Sequence, residues 1–109
     1  MSELVFSAGW ETKAFETITI DSTAGGKGFT AANYKTAAGR GPCKEVFCVL
    51  ETAQIRFQLD GASTVTATTN GALLEAGQTL TLQNYSDIAN FRAIRTGGTS
   101  GVLQCFYKF

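Results

Sequence analysis

The sequence predicts an all-β protein, an antiparallel β-sandwich or jelly-roll-like domain of seven or eight short strands. Three observations predict it. Apolar Ile55, Phe57 and Leu59 alternate with Gln54, Arg56, Gln58 and Asp60, the period-two pattern of a half-buried strand. Glycine is abundant at 12 residues, proline occurs once, and Thr, Val, Ile and Phe are frequent, a mixture that favours strands and tight turns over helices. Turn signals recur along the chain, and Asn70-Gly71 is the strongest because both residues tolerate positive φ.

The chain of 109 residues is one domain, large enough to bury a core unaided. Residues 1–14 read as an N-terminal arm and residues 15–109 as the β domain. The arm carries Leu4, Val5, Phe6 and Trp10 without a clear period, and either lies on the core or packs onto a neighbouring subunit. Residues 15–21 form a strand with Ile18 and Ile20 on one face and Thr17, Thr19 and Asp21 on the other. A turn cluster follows at residues 21–26, and residues 29–36 form a second strand. Residues 37–42 are a Gly-rich loop, and Pro42 bars Gly41 from helix.

Residues 44–51 are apolar on both faces, so this strand belongs in the sheet centre or under a covering arm. Residues 51–53 are expected to join it as a hairpin to the strand at residues 54–60, which Asp60-Gly61 ends. The chain is then extended over residues 65–69, makes one helical turn over residues 72–76, and forms a strand at residues 78–83. Ser86 or Asp87 caps a turn through residue 90. Residues 91–96 form a strand, and residues 97–101 are a hairpin loop before the last strand at residues 102–108.

Nine basic and nine acidic residues cancel, which argues against direct nucleic-acid binding, since that needs a cationic surface to neutralise phosphates. No apolar run is long enough for a membrane span, and residues 1–10 lack the cationic leader and apolar stretch of a secretory signal. Three cysteines predict free thiols in a reducing cytoplasm rather than a disulfide framework. Cys48 and Cys105 alternate with apolar residues and read as core thiols, whereas Cys43, at a loop, is expected to be the most exposed.

Catalytic equipment is missing from the pattern. There is no histidine, so Ser-His-Asp and Cys-His sites are impossible. Asp21, Glu45, Glu51, Asp60, Glu75 and Asp87 sit in no motif that would pair two carboxyl groups for catalysis. Three thiols fall short of a zinc set, so no metal or cofactor is expected. Gly25-Gly26-Lys27-Gly28 and Gly39-Arg40-Gly41 lack the spacing and following helix of a phosphate loop and read as surface loops. Trp10, Tyr34, Tyr85, Tyr107 and Phe109 read as core caps or subunit contacts, with a sugar-stacking platform as the rival. Arg92 and Arg95 face opposite sides of one strand, and at least one is expected to meet a carboxylate, with Asp60 and Glu51 as candidates.

Glu51-Thr52-Ala53-Gln54-Ile55-Arg56-Phe57, then Asp60-Gly61, then residues 74–82 and 88–96 in that order resemble a group of small bacteriophage virion structural proteins. Residues 28–34, reading Gly-Phe-Thr-Ala-Ala-Asn-Tyr, are similar to that group too, and the arm lies outside the resemblance. The resemblance implies a capsid decoration or cement protein: a non-enzymatic β domain on the head, bound to the major capsid protein and grouped as a homo-oligomer, a trimer above all. Leu4, Val5, Phe6, Trp10 and Arg95 are the expected partner contacts. A carbohydrate- or receptor-binding module of a fibre, or a neck or tail adaptor, are the alternatives.

Overall fold

The computed structural model describes residues 10–35 and 41–109. Within them the chain forms β1 (Thr12–Ile20), α1 (Ala31–Tyr34), β2 (Glu45–Glu51), β3 (Ile55–Gln58), β4 (Ala72–Leu74), β5 (Thr79–Leu82), α2 (Tyr85–Asn90), β6 (Arg92–Arg95) and β7 (Gly101–Lys108). Two antiparallel sheets face each other, one ordered β1-β7-β2-β5 and the other β4-β3-β6. The residue-by-residue register of β1 on β7 and of β2 on β7 carries the longest ladders.

The order of the sheets identifies the topology. An isolated bridge joins Lys27 to Ala93 of β6, closed by Lys27 N–H to Ala93 O at 2.7 Å and Ala93 N–H to Lys27 O at 2.8 Å. Counting the Lys27 segment as a vestigial strand, the chain alternates between the sheets as a jelly roll does, with β3–β4 its one same-sheet step. The antiparallel sandwich read from the sequence is therefore the fold, with one strand reduced to a single bridge.

The core lies between the sheets. Ile20, Leu50, Ile55, Ile88, Leu103 and Tyr107 are buried there. Phe29 stacks on Phe91 with ring centroids 4.4 Å apart and meets Tyr107 edge-on at 5.7 Å, geometries that aromatic quadrupoles favour. Both faces of β2 are largely buried, as its sequence predicts.

Several local expectations give way. The strand expected at residues 29–36 is instead the short helix α1, whose Thr30 N–H is accepted at 3.1 Å by Glu16 Oε1 from β1. Asn33 Nδ2 donates to the other oxygen of the same carboxylate. Glu16 thus caps α1 from across the structure, because Thr30 itself makes no side-chain cap. The helical turn expected at residues 72–76 is β4, where pairing with β3 overrides local propensity. The cap of α2 is Asn84, whose Oδ1 accepts from Ser86 N–H at 2.8 Å, rather than Ser86 or Asp87.

The expected hairpin between residues 44–51 and 54–60 does not form. β2 pairs with β5 and β7, and β3 pairs with β4 and β6 in the opposite sheet. Thr52 makes the corner with φ 79°, and Ala53 N–H donates to Glu51 O at 3.0 Å, an i to i+2 turn that throws the chain across. Residues 97–100 likewise connect opposite sheets rather than closing a hairpin. Residues 65–69 make no strand: Val65 is buried and Thr66 Oγ1 accepts from the N–H groups of Thr69 and Asn70. The first strand starts at Thr12, inside the span read as arm, and Glu11 already exchanges backbone hydrogen bonds with Phe109.

Candidate functional site

The chemistry of the surface is decided by which way β1 turns its backbone. Glu11 and Phe109 exchange N–H···O bonds at 3.2 and 2.9 Å, so the odd-numbered residues of β7 direct their amides toward β1. In the observed register those residues face Ala14, Glu16, Ile18 and Ile20. By alternation, Phe15, Thr17 and Thr19 direct their N–H and C=O groups away from β7. Nothing among the described residues lies beyond β1 in its sheet, so this is an open edge. At nine residues it is also the longest strand.

The side chains of the same three residues stand on the outer face. Phe15 lies opposite Phe106, which lies opposite Phe47, with centroids 4.9 and 6.3 Å apart. Phe15 is 52% exposed and Trp10, just before β1, is 42% exposed. The next row is polar and fixed by hydrogen bonds. Thr17 Oγ1 donates to Gln104 Oε1 at 2.6 Å, and Gln104 Nε2 donates to Glu51 Oε1 at 3.0 Å. The outer face is therefore aromatic at one end and Thr/Gln-rich at the other.

A groove of about 480 Å³ runs beside this edge, between residues 16–19 and the loop carrying Thr23, Lys27 and Thr30. Its charges nearly cancel. Lys27 Nζ lies 3.7 Å from Asp21 Oδ2, and the Thr23 hydroxyl and N–H hold the Asp21 carboxyl below the usual carboxylate range. Such a groove can accept an extended segment through backbone hydrogen bonds. It assembles no nucleophile with a base. Among the described residues no group of three acidic or thiol side chains is placed to hold a metal.

Of the residues singled out from the sequence, Leu4, Val5 and Phe6 lie outside the described residues. Trp10 is exposed at the start of β1. Arg95 is on the other sheet, in β6, where Nη1 donates to Ser100 Oγ at 3.4 Å. Arg92 Nη1 donates to the carbonyl of Phe91 at 2.7 Å, so within the chain neither guanidinium meets Asp60 or Glu51. The five aromatics weighed as a sugar platform do not share a surface: Tyr34, Tyr107 and Phe109 are buried, and Tyr34 packs edge-on against Tyr85. The aromatics on the outer face of the larger sheet beside this edge are instead Phe15 and Phe106, and the signal was present, since Phe15 shares the parity of Thr17 and Thr19.

Cys43 reverses its expectation. It is only 2% exposed, because its thiol donates to the carbonyls of Glu45 and Lys108 at 3.1 and 3.2 Å and so needs no water. No known family model, curated protein or solved structure matches the chain. Among the described residues no helix is long and apolar enough to cross a membrane.

Proposed function

We propose that this is a non-enzymatic virion structural protein, a capsid decoration or cement protein that binds neighbouring subunits through the β1 edge and its aromatic flank. One observation carries the reading: a nine-residue strand keeps an open edge with exposed Phe15 beside it and exposed Trp10 at its start. Isolated sandwich proteins normally blunt such an edge with charge, proline or a cover, because it templates pairing with another chain. Here residues 15, 17 and 19, past the register shift between Thr12 and Ala14 that carries Lys13, have no covering strand among the described residues. Jelly rolls recur among viral capsid domains, which agrees with the sequence resemblance, although they also occur in lectins.

The mechanism is mechanical. Copies grouped about a local symmetry axis, as a trimer, clamp adjoining copies of the major capsid protein. A binder that fits only the expanded head stabilises that state by mass action. Contacts of this kind need no cofactor, no nucleic acid and no membrane.

Immunogold imaging of purified particles with an antibody to this chain tests the reading. Regular label over the head is the expected result; label confined to neck, tail or fibres, or none on particles, overturns it. A Trp10→Ser, Phe15→Ser double variant should keep its fold, because both side chains are exposed, yet occupy heads at least tenfold less. Truncation that spares the sheet ends at residue 9, since Glu11 and Thr12 already belong to the ladder.

A further inference from the structure

Cys48 of β2 and Cys105 of β7 are direct partners in the ladder, and both side chains are fully buried on the core face. Two independent sets of hydrogen bonds fix the type of that pair. Leu50 N–H donates to Gln78 O at 3.0 Å and Leu50 O accepts from Gly77 N–H at 2.7 Å, so the even residues of β2 turn their amides to β5. Phe109 exchanges its bonds with Glu11, so the odd residues of β7 turn theirs to β1. Cys48 and Cys105 therefore share no backbone hydrogen bond. Pairs of this kind have the closest side chains in an antiparallel sheet, with Cα atoms about 4.5 Å apart. That spacing falls at the short end of the range a disulfide spans, roughly 4.4–6.8 Å.

Burial pushes the Cys48 thiol well up, and the neighbouring Cys105 thiol adds to the effect. Cys43 is not part of the pair, since it precedes β2 and lies beside Glu45 and Lys108, three ladder positions away from Cys48 and Cys105.

We propose that Cys48 and Cys105 form a dithiol site that a small oxidising disulfide converts to a cross-strand disulfide when the sandwich opens transiently. In the first step the thiolate of one cysteine attacks a sulfur of the small disulfide. A mixed disulfide forms and one small thiolate leaves. The second cysteine, losing its proton, then attacks the protein sulfur of the mixed disulfide and expels the other small thiolate. Two electrons pass to the small disulfide, which departs as two thiols carrying the two protons. Closure staples β2 to β7, the two inner strands of the larger sheet. Full burial makes opening the slow step, so the site stays reduced while the sheet is shut. The inference stands independently of the virion reading.

The test is to incubate the full chain with oxidised glutathione, with and without sub-denaturing urea, then alkylate and map the peptides. The expected product is a monomer lighter by two hydrogen atoms, with Cys48 linked to Cys105 and Cys43 alkylated, formed at least tenfold faster in urea. A Cys105→Ser variant should stop at a glutathione adduct on Cys48. Linkage through Cys43, a persistent adduct on the parent chain, or both thiols still alkylatable after equilibration in urea would each overturn the proposal. Mapping is done on the parent chain, so the result does not hang on any variant folding.

Discussion

The two sheets treat their outer faces differently. The smaller sheet, of three- and four-residue strands, is partly covered by its own chain, although Leu73 of β4 stays exposed. Val65, in the loop between β3 and β4, is 2% exposed and reaches Gly26, Ile94 of β6 is buried, and Arg56 Nη1 donates to Gly71 O at 2.9 Å to tie the loop down. The Lys27 bridge guards the β6 edge. The larger sheet exposes a rim of Phe15, Thr17 and Thr19 along its longest strand. Among the described residues the smaller sheet carries a loop tied over its outer face, while the β1 edge of the larger sheet pairs with no further strand, a difference set by topology rather than by a motif.

The larger sheet nonetheless has one sealed corner, and breaking it carries the largest expected effect. Lys108 Nζ lies 3.4 Å from Glu45 Oε2 with side chains only 3% and 2% exposed, and Gln83 Nε2 donates to Glu45 Oε1 at 3.0 Å. Lys108→Met removes the cation facing this buried carboxylate and should cost about 3–5 kcal/mol in urea unfolding. The Glu45→Met, Lys108→Met double variant should recover most of that loss. A double variant no more stable than the single one would show that the corner depends on something other than the pair.

The contrast between the faces sharpens at the next level down. Val65→Ala should cost about 2 kcal/mol by emptying the cover of the smaller sheet and should speed amide exchange across residues 60–71. Thr17→Ala on the open sheet should change stability by no more than about 0.5 kcal/mol. Equal costs at the two sites would erase the distinction.

The smallest effect is electrostatic. Asp60 anchors the covering loop by accepting from the N–H groups of Ala62 and Ser63 at 3.0 and 2.8 Å and from Ser63 Oγ at 2.7 Å. Those bonds hold its carboxyl below the usual carboxylate range. A lowered folded-state pKa means the contribution is complete above the ordinary aspartate range and is lost as pH falls through the lowered value. Protection of the amides at residues 61–63, measured relative to the unstructured rate at each pH, should fall in acid in the parent, and Asp60→Asn should remove that pH dependence.

Much of this architecture was legible because period-two alternation survives burial. Ile18 and Ile20 against Thr17 and Thr19, and Ile55 and Phe57 against Arg56 and Gln58, give strands and faces directly. Which strands pair was not legible. The corner at Thr52 rests on a left-handed φ that a β-branched residue rarely adopts, so no local signal announced the step between sheets. Ala72-Leu73-Leu74 favours helix in isolation and becomes strand because β3 offers it a ladder. The buried Cys43 was hidden for a similar reason, since its acceptors are carbonyls brought from residue 108. Of the surface, Trp10 could be named, but the edge it accompanies exists only once β7 has taken the other side of β1.

That placement of β7 governs how the molecule is made. The last strand in sequence slides between the first and second, pairing Thr12–Ile20 with residues as much as 96 positions downstream at Thr12↔Lys108. A nascent chain on the ribosome therefore holds β1 and β2 apart until β7 emerges to join them, while β2 can already pair with β5. A product cut short before β7 would offer the cell's proteases a wall missing its middle course.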